Sequence, residues 1–227
     1  MASFLSSDSA PEVLLSNVQD LANQIEGQGG KVANVSFTSS NDGIGLCAAV
    51  DFMVGDSILE IPFSECISMS RIMNYDKLKV IFDEQTQLVD FPDEVLCVGI
   101  MHAVLHPDSC PWGAHVATWP RPKDMNSTIY WTEDELSLLK GTNVLTLTNM
   151  MKSQLEADWE AVHDALEQIY PDLLGGATIE LYKWAISMVY SRAVGLVIDD
   201  TYERIIAPVL DMANHNANVA NDTEETF

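Results

Sequence analysis

Asp211, Asn214 and His215 crowd the short stretch PVLDMANHN at 208–216, which begins apolar and ends in side chains that all need hydrogen-bond partners. A carboxylate set inside VLDMA is costly to take out of water without a donor, so Asp211 must meet backbone N–H groups, an arginine or a ligand hydroxyl. A single histidine does not make a metal site. Arg192 shares a helical face with Ala185, Met188 and Val189, late in an otherwise apolar helix. A cation there either satisfies the terminal carbonyls and the helix dipole or receives an anion such as a ligand carboxylate.

Gly43 and Gly45, in DGIGL at 42–46, stand between two strand signals. Alone they read as turn or bulge glycines, because Ala48 stands where the third glycine of a dinucleotide-binding fingerprint belongs. HAVLH places His102 and His106 four apart on one helix, but Ala103 occupies the position of a metalloprotease's general base and no third ligand presents itself. Both read as ordinary helix histidines, and no metal is expected.

These residues depend on the elements around them. Residues 1–30 carry one helical pattern, Val13, Leu14, Val18, Leu21 and Ile25, closed by the flexible GQGG. From Lys31 the texture changes to short strands, NVSFT, GLCAAV and SILEIP, joined by tight turns, a small antiparallel unit over 31–68. A helical block over 69–204 follows. In it Pro92, Asp93 and Glu94 open one helix, Thr132 and Glu135 form a capping box, and Thr178 caps IELYKWAISMVYSRAVG. Leu155, Trp159, Val162, Leu166 and Ile169 make one apolar stripe up to Pro171. Strand texture is expected to return at 205–227. Two β regions flanking a helical block indicate an α+β domain with a helical insertion rather than a βαβ repeat.

Composition excludes several classes. A formal charge of −23, from 34 acidic against 11 basic residues, repels nucleic acid and leaves no basic patch. Such a surface mainly solvates the protein, though it would also steer a basic partner toward it. Apolar runs fall well short of the roughly 18 residues of a membrane span, and the N-terminus lacks the basic region of a secretory signal. A soluble protein of the cytoplasm or nucleus is expected. Cys47, Cys66, Cys97 and Cys110 form no CxxC pair and read as reduced core thiols.

Taken in order and at these separations, DGIGLCAAVDFMVGDSILEIP, WTEDELSLLKGT, YKWAISMVYSRA and IAPVLDMANHN resemble the SET-domain protein methyltransferases. The similarity is greatest to the branch of Rubisco large-subunit lysine methyltransferase and actin-histidine methyltransferase, over roughly residues 31 to 227. The resemblance implies a β-rich SET core interrupted by a helical insertion, and S-adenosylmethionine as methyl donor. It also implies a cofactor pocket made by Asp42, Gly43, Ile44, Gly45, Arg192, Asp211, Asn214 and His215. Asp42 stands where relatives carry glutamate, and Arg192 where they pair the cofactor carboxylate. The implied reaction is direct methyl transfer to a protein lysine, with histidine as the alternative target, by a monomer that needs no metal. The family's methyl-transfer tyrosine falls beyond Phe227, so the chain resembles the first part of such an enzyme. The other reading is a non-catalytic SET-like binding module. Without the segment that follows in the family, PVLDMA is expected to keep an unpaired strand edge.

Overall fold

The computed structural model describes Phe4 and residues 10–40 and 43–214. Helix α1 (Pro11–Gly27) starts on a proline at its first position, and its expected stripe buries Val18, Leu21, Ala22 and Ile25. The hairpin of β1 (Val35–Ser40) and β2 (Gly43–Ala48) lies beneath it in antiparallel register, with Thr38 opposite Gly45. Phe37, Ile44 and Leu46 pack with the α1 stripe, Val32, Val209 and Met212 into one small core. The leading helix, the first hairpin and the segment carrying Asp211 therefore share a packing unit.

The larger core is helical. Helix α2 (Pro92–Leu105) is buried along most of its length, as its apolar-all-round sequence requires, and packs on later helices. Helix α3 (Gly113–Val116) follows it, then the capping-box helix at Glu133–Ser137, with Thr132 and Glu135 bonded reciprocally. Helix α4 (Asn143–Asp158) runs through a π-turn, Trp159–His163, into Asp164–Ile169. Helix α5 (Ile179–Arg192) is capped by the Thr178 hydroxyl, which accepts from Leu181 N–H at 3.3 Å, and packs along α2. Its last residue is Arg192. No helix among the described residues is long and apolar enough to cross a membrane.

The structure departs from the sequence reading at four places. SILEIP forms only a single bridge, Glu60 to Lys31, because Leu59 and Ile61 are satisfied by packing on the small core without a ladder. The π-turn shifts the stripe after Trp159, so that His163 rather than Val162 is fully buried and Ile169 is 55% exposed. Strands also return earlier than expected. β4 (Val194–Ile198) and β5 (Thr201–Ile206) form a hairpin, and β5 pairs with β3 (Ile67–Ser68) to give the order β3-β5-β4. Asp199 and Asp200, at φ 48° and 61°, form its two-residue turn, which requires left-handed backbone at both positions. Asp200→Gly should raise stability by about 0.5 kcal/mol, since glycine removes the steric cost of that conformation but adds chain entropy; thermal unfolding of the two proteins checks it.

The fourth departure concerns the functional stretch itself. β5 ends at Ile206, and PVLDMA is a tight turn, not a strand with an open edge. Pro208 has no N–H for a ladder. Val209 sits at φ 67°, ψ −48°, and Leu210 N–H donates to the Pro208 carbonyl at 2.8 Å, which closes a γ-turn. A β-branched residue rarely adopts this backbone. Complete burial of Val209 in the small core holds it there, and the chain leaves in a short 3-10 turn, Leu210–Met212.

Candidate functional site

The γ-turn points Asp211 inward. Its side chain has no exposed surface, and its Oδ2 accepts from Trp119 Nε1 at 2.8 Å, from His115 Nε2 at 3.2 Å and from Arg192 Nη1 at 3.2 Å. Arg192 Nη1 also donates to the Asp211 carbonyl at 2.8 Å. The donor that the sequence required for Asp211 is thus supplied by an arginine, with two aromatic N–H groups added. Burial pushes the Asp211 carboxyl up, but His115, Arg192 and the Trp119 N–H outweigh it and hold the group below its ordinary value.

Three elements converge here. α5 delivers Arg192 at its C-terminus, where the cation also suits the helix dipole. α3 delivers His115, whose carbonyl accepts from the Thr118 hydroxyl at 2.6 Å, and the turn after it delivers Trp119. The Trp119 ring is wholly buried between His115 at 5.1 Å and Trp184 at 6.0 Å, centroid to centroid, so its N–H direction is fixed. The Arg192 guanidinium lies 5.7 Å from the same ring.

The cluster is not fully satisfied. Among the described residues, Arg192 Nε, Asp211 Oδ1 and His115 Nδ1 are buried with no hydrogen-bond partner. Orphaned buried polar atoms are rare enough to need an explanation. By contrast, the carboxylate of Glu94 in the helical core has a donor on each oxygen, His163 at 2.7 Å and Tyr182 at 3.1 Å.

A second contact joins β2 to the end of the described chain. A Cβ placed on Gly45 would stand 2.9 Å from Asn214 Nδ2 and 3.7 Å from Thr38 Oγ1. Gly43, at φ 107°, opens the strand with backbone that favours glycine. The alternation along β2 puts Gly45 on the face toward Asn214 and Ile44 on the other, where it packs into the small core.

The residues singled out in the sequence therefore fall into groups. Gly45 meets Asn214, and Arg192 meets Asp211. The Ile44 side chain is turned onto the core, so only its backbone faces the glycine side. The Asp211 carboxylate faces its three donors and not the glycine face. Asp42 and His215 lie outside the described residues. His102 and His106 both reach the Leu173 carbonyl, at 2.9 and 3.2 Å, as structural helix histidines would. His115 and Trp119 were not anticipated. WGAHVATWP does hold two N–H donors four apart in an apolar stretch, but nothing local names an acceptor 96 residues away.

No protein-family model matches the chain. It is 25% identical over 185 residues to the chloroplastic ribulose-1,5-bisphosphate carboxylase/oxygenase large subunit N-methyltransferase of Nicotiana tabacum, covering 80% of this chain and 35% of that protein. It is 24% identical over 177 residues to ribosomal lysine N-methyltransferase 4 of Saccharomyces cerevisiae, covering 75% of this chain and 35% of that one. Among solved structures it is similar to the SET domain of LSMT bound to lysine and AdoHcy, with a TM-score of 0.72 and 22% identity over 90% of this chain and 45% of that chain. The chain thus spans about a third of the length of these curated relatives. The likeness agrees with the α+β architecture and with the four motifs that the sequence carries.

Proposed function

From a chain with the SET-domain fold, we propose that it forms the S-adenosylmethionine-binding part of a protein-lysine N-methyltransferase. The observation that carries this reading is an edge of Arg192 that has no partner among the described residues. Its Nη1 is committed to Asp211, which leaves Nε and Nη2, the edge that grips a carboxylate with two parallel hydrogen bonds. An amino-acid carboxylate such as that of methionine fits this edge and gives the orphaned Nε an acceptor. Gly45 and Asn214 supply the second half of the fit. A glycine lets a ligand approach the β2 backbone, and the Asn214 amide beside it offers both a donor and an acceptor. Asp42 and His215 join this pocket by resemblance.

S-adenosylmethionine, when bound, supplies a sulfonium methyl that a neutral amine takes by direct displacement. The residues of this chain bind and orient. Arg192 would hold the carboxylate end, Asp211 would keep the guanidinium aimed, and the β2 glycines would set the depth of approach. Catalysis of this kind rests on positioning and on a dehydrated path for the amine. A lysine with its ordinary pKa near 10.4 must first lose a proton, which a less polar channel favours. The name of the yeast relative and the lysine bound to the solved SET domain support lysine as the target.

Calorimetric titration of the 227-residue chain with S-adenosylmethionine tests the reading. Arg192→Ala is expected to weaken binding tenfold or more, about 1.4 kcal/mol. Equal affinity in the mutant would remove Arg192 from the pocket.

A further inference from the structure

We propose that His115 is a positioning residue for the cofactor carboxylate, acting through Asp211 to keep one edge of Arg192 open; the inference rests on the reading of Arg192 given above. The Asp211 carboxylate is the hinge of this device. Ionised, it can only accept, so His115 Nε2 carries the proton of the bond between them. With His115 Nδ1 unpartnered among the described residues, Asp211 is the only side chain bonded to this imidazole.

All three donors meet on Oδ2, and Oδ1 receives none among the described residues. A carboxylate beside a guanidinium ordinarily takes two parallel hydrogen bonds. Arg192 does not adopt that arrangement, although its side chain is 18% exposed. Instead Nη1 bonds Oδ2 and the Asp211 carbonyl, which leaves Nε and Nη2 directed elsewhere. His115 and Trp119 explain the difference. Their N–H groups approach Oδ2 from a segment that packing has fixed, with His115 3% and Trp119 0% exposed. They pin the carboxylate so that Oδ1 cannot swing round to Nε. Without the His115 bond, Trp119 and Arg192 alone hold Oδ2. The carboxylate can then rotate, Arg192 closes on both oxygens, and the edge meant for a ligand is taken up inside the protein.

The test separates a carboxylate-specific effect from a general loss of structure. The full chain is titrated with S-adenosylhomocysteine, which carries the amino-acid carboxylate, and with 5′-methylthioadenosine, which lacks it. His115→Phe, which keeps a ring and removes the donor, should weaken S-adenosylhomocysteine at least fivefold and leave 5′-methylthioadenosine within twofold of wild type. His115→Gln, which restores an N–H donor, should recover most of the loss, and His115→Leu, which also removes the donor, replaces the phenylalanine variant if that one does not fold. In an Arg192→Ala background, His115→Phe should add nothing, because the residue through which it acts is gone. Equal weakening of both ligands, no rescue by glutamine, or an additive loss in the Arg192→Ala background would each overturn the role of His115. If wild type binds S-adenosylhomocysteine and Arg192→Ala weakens it while His115→Phe does not, this inference fails alone. If Arg192→Ala has no effect, the reading of Arg192 fails and takes this one with it.

Discussion

Asp211→Ala is expected to lower the unfolding free energy by about 3 kcal/mol, the lower end of the cost of removing one partner from a buried ion pair. The mutation leaves Arg192 Nη1, the His115 ring and the Trp119 N–H around a cavity with no carboxylate to accept from them. The lower end applies because Arg192 is 18% exposed and regains part of its hydration. Asp211→Asn, which keeps the volume and one acceptor oxygen, should fall between the two. Denaturant unfolding with an unchanged slope for all three proteins checks the ranking. The pH dependence follows from the depressed carboxyl. The unfolded chain protonates near the ordinary value of 3.8 and the folded chain only at lower pH, so the stabilisation is complete above that value and drains away as pH falls through the folded value. The gap between wild type and Asp211→Ala should therefore narrow in acid. A gap that held constant down to about pH 2 would show that the charge of Asp211 is not what stabilises the cluster.

The same cluster shows which parts of the site a sequence can disclose. Asp211 inside VLDMA announced the need for a donor, and Arg192 on an apolar helix face announced the need for an acceptor, because desolvation makes each requirement local. Their pairing satisfies both. His115 and Trp119 carried no comparable signal, since a neutral N–H in an apolar stretch has many possible acceptors and its partner lies far along the chain. The fold divides in a similar way. Capping at Thr132 and Thr178 and the stripe of α1 are local chemistry, and the structure has them where the residues place them. The β4-β5 hairpin reads in the sequence as part of the helical block because Val194, Leu196 and Val197 continue the apolar run of α5, with only the Asp199-Asp200 pair to mark a turn. The γ-turn at Val209 has no local signature at all. A valine would not choose that backbone, and only burial against α1 and the first hairpin imposes it.

Gly45→Val should separate folding from ligand binding more cleanly than any other single change. Gly45 does not need left-handed backbone, and it faces Thr38 within a paired strand where valine is favoured. The first atom it gains stands 2.9 Å from the end of the Asn214 side chain, which can move, and at ordinary contact distance from Thr38. The expected change in stability is therefore within about 1 kcal/mol. The two methyl groups beyond that atom reach into the region the Asn214 side chain occupies and displace it from β2, so S-adenosylmethionine affinity should fall a hundredfold or more, about 2.8 kcal/mol. Ile44→Val is the matched control. It trims the neighbouring side chain on the opposite face of β2, inside the small core, and should cost roughly 0.5–1.5 kcal/mol of stability while leaving affinity unchanged. Calorimetry and denaturant unfolding of both variants give the four numbers. If Ile44→Val weakened binding and Gly45→Val did not, the ligand would lie on the core side of β2, and the pocket would have to be rebuilt without Asn214.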